Sequence, residues 1–159
     1  MLKLPPTENR VIHVTTADEI LDHWAFFNEG RMALNDPSRA RADYTPEGFF
    51  NMLVKVALMN TEGLILVLTD KNGNPLGFGC AFTGVDFQGD ACFFVWECYS
   101  NSTCSTTTKE LLNYTEEYAK SIGHNVIKLS TKRLTGAALR YFEGSLHFKR
   151  EYIQFRKDI

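Results

Sequence analysis

Apolar positions in this chain recur with two periods, and the switches between them mark ten elements. Arg10 to Thr16 alternates and reads as a first strand. Thr16-Ala17-Asp18-Glu19 has the capping-box form that opens a helix. Ile20, Trp24 and Phe27 lie on one face of it, and Gly30 follows as its expected cap. Arg31 to Tyr44 contains Asn35-Asp36-Pro37-Ser38 and reads as a loop with at most a short helical turn. Thr45-Pro46 starts a second helix, with Thr as cap and Pro at the first helical position. Phe49, Leu53, Val56 and Asn60 form its stripe, Phe50, Val54 and Leu58 widen it, and Glu62-Gly63 ends it.

A run of strands follows. Leu64 to Thr69 and Leu76 to Thr83 flank Lys71-Asn72-Gly73-Asn74, whose Asn-Gly signals a tight turn. Val85 to Asp90 is a wider turn, and Ala91 to Tyr99 returns as the expected central strand. Thr107-Thr108-Lys109-Glu110 reads as another capping box. Leu111, Tyr114, Tyr118 and Ile122 carry that helix to a left-handed cap at Gly123. Asn125 to Thr131 is a strand, Thr135 to Leu146 a short helix, and Phe148 to Phe155 a last strand.

The order β-α-α-β-β-β-α-β-α-β predicts an α+β fold. Strands joined by short turns should pair antiparallel. The strand-helix-strand unit from Ala91 to Thr131 should pair parallel through a right-handed crossover. The expectation is a central mixed, mostly antiparallel sheet with helices on both faces. The 159 residues suit one domain with a sizeable core.

Composition narrows the function classes. Hydrophobic residues make up 44 % and charged residues 23 %, as in a globular protein in water. No apolar run approaches the roughly 20 residues of a membrane helix, and Met1 to Arg10 shows no signal region, so a cytoplasmic protein is expected. The formal charge of -2 does not describe a polyanion binder. The chain from Lys120 onward holds nine Lys/Arg against three acids. A nucleic-acid contact there is weighed against solvated charges on a helix and an edge strand, and the latter is favoured. Cys80, Cys92, Cys98 and Cys104 form no Cys-x-x-Cys pair, and His13, His23, His124 and His147 fit no ligand or triad spacing, so no metal is expected. Free thiols in strands fit a reduced compartment.

The chemistry concentrates between Ala91 and Gly123, where a buried strand delivers a Ser/Thr-rich loop to a helix N-terminus. Free amides and the positive end of the helix dipole make such a place an anion site.

Order and lengths from Arg10 onward resemble the GNAT-type N-acetyltransferase superfamily, whose members transfer an acyl group from acyl-CoA to an amine. In that family the fourth strand leads into a Gln/Arg-x-x-Gly-x-Gly/Ala loop and a helix with paired leucines. Leu111-Leu112 match the leucines, Thr103 stands at the Gln/Arg, and Thr106 and Thr108 stand at the glycines. The family's later motif has Asn, Ala-x-x-x-Tyr and Leu-Gly-Phe. Thr135 replaces the Asn, Ala138 matches, Phe142 falls at the Tyr, and Leu146-His147-Phe148 stand at Leu-Gly-Phe with one extra residue between. Thr tolerates positive φ badly, yet Ser/Thr hydroxyls and helix amides can still donate to phosphate. Glu110 in the first turn would repel a pyrophosphate unless it faces away.

The resemblance implies acetyl-CoA as cofactor and a small-molecule or protein amine as acceptor. Thr103, Cys104, Ser105, Thr106, Thr107, Thr108, Lys109 and the Cys98 backbone would hold the cofactor. Glu97 is the base candidate, the only acid in Phe93 to Tyr99, where aromatic neighbours should raise its pKa. Its structural alternative is a carboxylate on a solvent-facing strand, paired with a lysine. Tyr141 is the acid candidate, with a core or surface position as the alternative; Cys98 itself reads as a packed thiol. Arg31, Arg39, Arg41 and Tyr44 fall on the family's acceptor wall, against a reading as solvated loop residues. The functional alternative is a catalytically inactive GNAT-fold binding or regulatory module. Homodimers are common among folds with an exposed terminal strand, and that base rate alone supports one here.

Overall fold

The computed structural model of the chain describes residues 8–35, 44–101, 106–130, 136–151 and 157. In chain order the elements are β1 (Arg10–His13), α1 (Ala17–Asp22), α2 (Trp24–Leu34), α3 (Pro46–Leu58), a 3-10 turn (Asn60–Glu62), β2 (Gly63–Thr69), β3 (Pro75–Val85), β4 (Ala91–Ser100), α4 (Thr106–Ser121), β5 (Ile127–Leu129), α5 (Gly136–Arg140) and a π turn (Tyr141–Ser145). The strands lie side by side as β1-β2-β3-β4-β5. β2–β3 and β3–β4 are antiparallel, as their short turns require, and β4–β5, joined through α4, is parallel; β1–β2 is antiparallel as well. The fold is the expected mixed α+β sheet between helices. Among the described residues its middle strand is β3; residues 148–151 of the predicted last strand are not in a strand, and 152–156 lie outside the described residues. No helix among the described residues is long and apolar enough to cross a membrane.

Local chemistry explains most element ends. Thr16 and Glu19 form the reciprocal capping box of α1. Thr45 accepts from the Gly48 amide to cap α3, with Pro46 at its first position. The Asp70 carboxylate accepts from the Asn72 and Asn74 amides and closes the β2–β3 turn. Gly123 ends α4 at φ +93°, and His124 N–H reaches back to the Ala119 carbonyl.

Five sequence expectations are corrected. The single helix ending at Gly30 is two helices broken at His23, and the second runs on to Leu34. Gly30 is no cap. A Cβ there would stand 2.2 Å from the Phe78 ring, so glycine lets α2 lie flat on β3. Leu58 is 74 % exposed and adds nothing to the α3 stripe. The α4 stripe is rotated: Tyr114 is exposed, and Thr107, Leu111, Thr115 and Ala119 face the sheet. The cause is close approach at Gly77, where a Cβ would lie 2.9 Å from Thr107 Cγ2 and 3.2 Å from Leu111. Thr107 is therefore not the cap that its sequence suggests. The helix already includes Thr106, and Glu110 turns away to accept two hydrogen bonds from Asn9 Nδ2, at 3.3 and 3.1 Å.

The sheet separates two cores. Ile20, Phe27, Phe49, Leu53, Val67 and Phe78 pack under α1–α3. Leu66, Leu68, Phe93, Val95, Leu111 and Leu112 pack under α4. The end of the described chain closes onto this second core through Tyr141, Phe142 and Leu146. The π turn absorbs the extra residue that the sequence shows there, with Leu146 N–H bonded to the Tyr141 carbonyl at 3.0 Å. His147 then takes φ +59°, the left-handed region that favours glycine.

Candidate functional site

A break in the β4 ladder builds the site. Val95 pairs with Ala81 and Glu97 with Cys80, so Trp96 is an extra residue, a β-bulge. The bulge sits where β5 stops: the last parallel pair is Val95 with Leu129, while β4 continues to Ser100. All three residues of β5 thus pair with β4, which runs on to Ser100 past the last of those pairs.

A bulge re-aims side chains. Instead of alternating, Trp96 and Glu97 both reach the α1–α3 side. Trp96 lies against Phe49 and Tyr44, with ring centroids 5.4 and 5.6 Å apart. Glu97 Oε1 accepts a 2.5 Å hydrogen bond from the Tyr44 hydroxyl. Neither of the two sequence readings named this tyrosine partner.

Tyr44 is itself set from three directions. It precedes the α3 cap, and its ring meets Phe49 at 5.3 Å, the fourth residue of that helix, as a hydrophobic staple. Asn35 brackets its backbone, donating to its carbonyl at 2.8 Å and accepting from its amide at 3.0 Å. Arg31 donates to the same carbonyl at 3.0 Å. Arg31, expected on the acceptor wall, therefore holds Tyr44 in place. Burial first, then the Glu97 hydrogen bond, raise the Tyr44 hydroxyl above its ordinary range, so it stays a donor. The staple was visible in the sequence as an aromatic residue one before the cap and another at the fourth helical position.

The remaining candidates divide by face. Cys98 falls on the α4 side, where burial and then the Glu97 charge push its thiol up to about 12. Such a thiol is protonated at neutral pH, as a packed cysteine is and a nucleophile is not. Tyr141 lies within electrostatic reach of Cys98 and shares a hydrogen bond with Thr108. Burial raises its hydroxyl, and Thr108 acts in the opposite direction. Thr106, Thr107, Thr108 and Lys109 form the first turn of α4, with the Thr107 side chain turned onto Gly77. Thr103, Cys104, Ser105, Arg39 and Arg41 lie outside the described residues. The structure thus joins Glu97 to Tyr44 on one face and Cys98 to Tyr141 and Thr108 on the other, with the bulged strand between.

Elsewhere the residues are structural. No cluster of His, Cys, Asp and Glu suited to a metal occurs among the described residues. His124 is engaged by Thr83 Oγ1 at 2.8 Å. In the basic C-terminal third, Lys120 pairs with Glu116, Lys128 with Asp86 and Glu151, and Arg150 with Glu143.

No family model matches the sequence, and no curated protein matches it at a significant level. Solved structures do match over nearly the whole chain. AAC(6')-Iy in complex with the bisubstrate analog CoA-S-monomethyl-acetylneamine superposes with a TM-score of 0.72 at 12% identity, over 96% of this chain and 100% of that one. A probable acetyltransferase gives 0.68 at 20% identity, over 94% and 97%. Glucosamine-6-phosphate N-acetyltransferase from Arabidopsis thaliana gives 0.67 at 15% identity, over 94% and 97%. Likeness at these identities establishes the fold.

Proposed function

We propose that this chain, which has the fold of the GNAT acetyltransferases, is an acyl-CoA-dependent N-acyltransferase that uses acetyl-CoA to acylate an amine by direct attack. The observation that carries the reading is the bulge at Trp96, next to the last β4–β5 pair, which presents Glu97 beside the Tyr44 hydroxyl.

The residues present fit such a cofactor. Past the Val95–Leu129 pair β4 stays extended to Ser100, and an amide-bearing pantetheine arm could pair with a backbone of that form. The first turn of α4 contributes backbone amides and the positive end of its dipole, with Thr108 and Lys109 half-buried there. Glu110, which would oppose an anion, faces Asn9 instead. Acetyl-CoA supplies an activated thioester.

The chain supplies the proton handling. Glu97 accepts a proton from the incoming ammonium, directly or through a water, so that the free amine attacks. Backbone amides of the bulged strand polarise the carbonyl under attack. Tyr141 keeps its proton at neutral pH, as a donor to a leaving thiolate must. The acceptor is a small-molecule or protein amine.

Thiol release from acetyl-CoA, followed over a panel of primary amines, tests the reading with Glu97→Gln beside the wild type. Loss of a general base should lower kcat by about 10²- to 10⁴-fold while the KM for acetyl-CoA holds. Equal rates for the two proteins would remove Glu97 from the mechanism. Binding of acetyl-CoA without turnover of any amine would make the chain a non-catalytic module of this fold.

A further inference from the structure

We propose that Tyr44 is the positioning residue for Glu97, fixing the rotation of that carboxylate so that it meets the acceptor amine; this rests on the acyltransferase reading above.

A carboxylate base must place one oxygen about 2.6–3.2 Å from the proton that it removes. Glutamate reaches from the backbone through three rotatable bonds, which the β-ladder pairing of Glu97 with Cys80 does not fix. A side-chain contact can set that rotation. The Tyr44 hydroxyl does so through Oε1 at 2.5 Å.

The hold on Tyr44 exceeds what the fold needs. The α3 helix is already capped by Thr45 and opened by Pro46. Phe49 and Phe78, both fully buried, already fill the core beneath. Yet Asn35 engages both backbone groups of Tyr44, and Arg31 adds a third bond, while Asn28 steadies Arg31 at 2.8 Å. These tethers fix where the phenol oxygen lies. They connect the end of α2 and the start of α3 to a single atom of Glu97. The aromatic packing of Tyr44 on Phe49 and Trp96 uses the ring, while the hydroxyl donates to the carboxylate and also shares a hydrogen bond with Trp96. Replacing only the hydroxyl therefore removes the positioning contact and keeps the staple.

The test is a double-mutant cycle of Tyr44→Phe and Glu97→Gln, with Asn35→Ala as a second route to the same displacement. Thiol release from acetyl-CoA is followed with ethanolamine, glucosamine 6-phosphate, neamine and a lysine-bearing peptide as acceptors. Tyr44→Phe is expected to lower kcat by about 10- to 100-fold, as misplacement of a catalytic group does. The KM for acetyl-CoA should not move, and the change should cost nothing further in the Glu97→Gln background. Asn35→Ala should give a smaller loss of the same kind. Wild-type turnover with an unchanged Tyr44→Phe, or losses that multiply in the double variant, would overturn the positioning role and leave the acyltransferase reading intact. No wild-type turnover with any acceptor would overturn both. If Tyr44→Phe does not fold, an Asn35→Ala protein with wild-type kcat overturns the proposal.

Discussion

Gly30→Ala measures how tightly the helical layer is pressed onto the strands that carry the site. The added Cβ would stand 2.2 Å from Phe78 Cε1, 2.5 Å from its Cζ and 2.9 Å from Tyr99 Cδ1. Ordinary carbon contacts are about 3.5–4.0 Å, so the Phe78 ring would have to retreat by more than about 1 Å. It has nowhere to go. The ring is fully buried, with Phe27, Tyr99 and Phe26 at 5.1, 5.5 and 5.9 Å between centroids. Tyr99 is tied to Glu29 at 2.9 Å. Overpacking typically costs about 1–3 kcal/mol, and this displacement belongs at the upper end. Alanine in place of a helical glycine returns about 1 kcal/mol. The net expectation is a loss of roughly 2 kcal/mol, or about 4–8 °C in Tm for a chain of this size. Urea unfolding followed by circular dichroism reads it directly. Gly136→Ala is the control: the nearest obstacle is the flexible end of Arg140, at 3.2 Å, so helix propensity should win. A Gly30→Ala protein as stable as wild type would refute the packing argument.

Other consequences are smaller. His147→Gly relieves a left-handed non-glycine residue and should raise stability by about 1 kcal/mol in a thermal melt; a fall would mean that the imidazole matters more than the backbone. Asn9→Ala strips the buried Glu110 carboxylate of its two hydrogen bonds and should cost about 1–3 kcal/mol in urea, whereas no loss would show that water replaces the amide. The Cys98 thiol titrates near 9 when unfolded and about 12 when folded. Both states hold the proton below the lower value, and above it only the folded state does. Stability should therefore fall as pH rises from 9 toward 12, at most by about 1.4 kcal/mol per pH unit for this thiol. Cys98→Ala should flatten that slope, and an unchanged slope would assign it elsewhere.

The elements were readable because their ends carry their own chemistry. Thr16 with Glu19, Thr45 with Pro46, and Asp70 before Asn-Gly are all local signals that the structure uses as written. What failed was non-local. Gly30 and Thr107 look like a cap on each helix, but both are small because another layer comes close: Phe78 for one and Gly77 for the other. The bulge at Trp96 has no signature within β4, since an extra residue exists only relative to the register of β3. Glu97 was legible as a lone acid among aromatic residues. Its partner 53 positions earlier was not, because only the fold brings the two together. The π turn lies between these cases. One surplus residue before Leu146 was visible, and its geometry was not.

The most direct test of the account is thermal stabilisation by acetyl-CoA, with dephospho-CoA and ATP as controls. A ligand at about 100 times its Kd adds roughly 2.7 kcal/mol, or about 5–11 °C in Tm here. The proposed binding of the cofactor along β4 and at the α4 N-terminus predicts that shift with acetyl-CoA and a smaller one with ATP alone. No shift at millimolar acetyl-CoA would contradict the account at its centre.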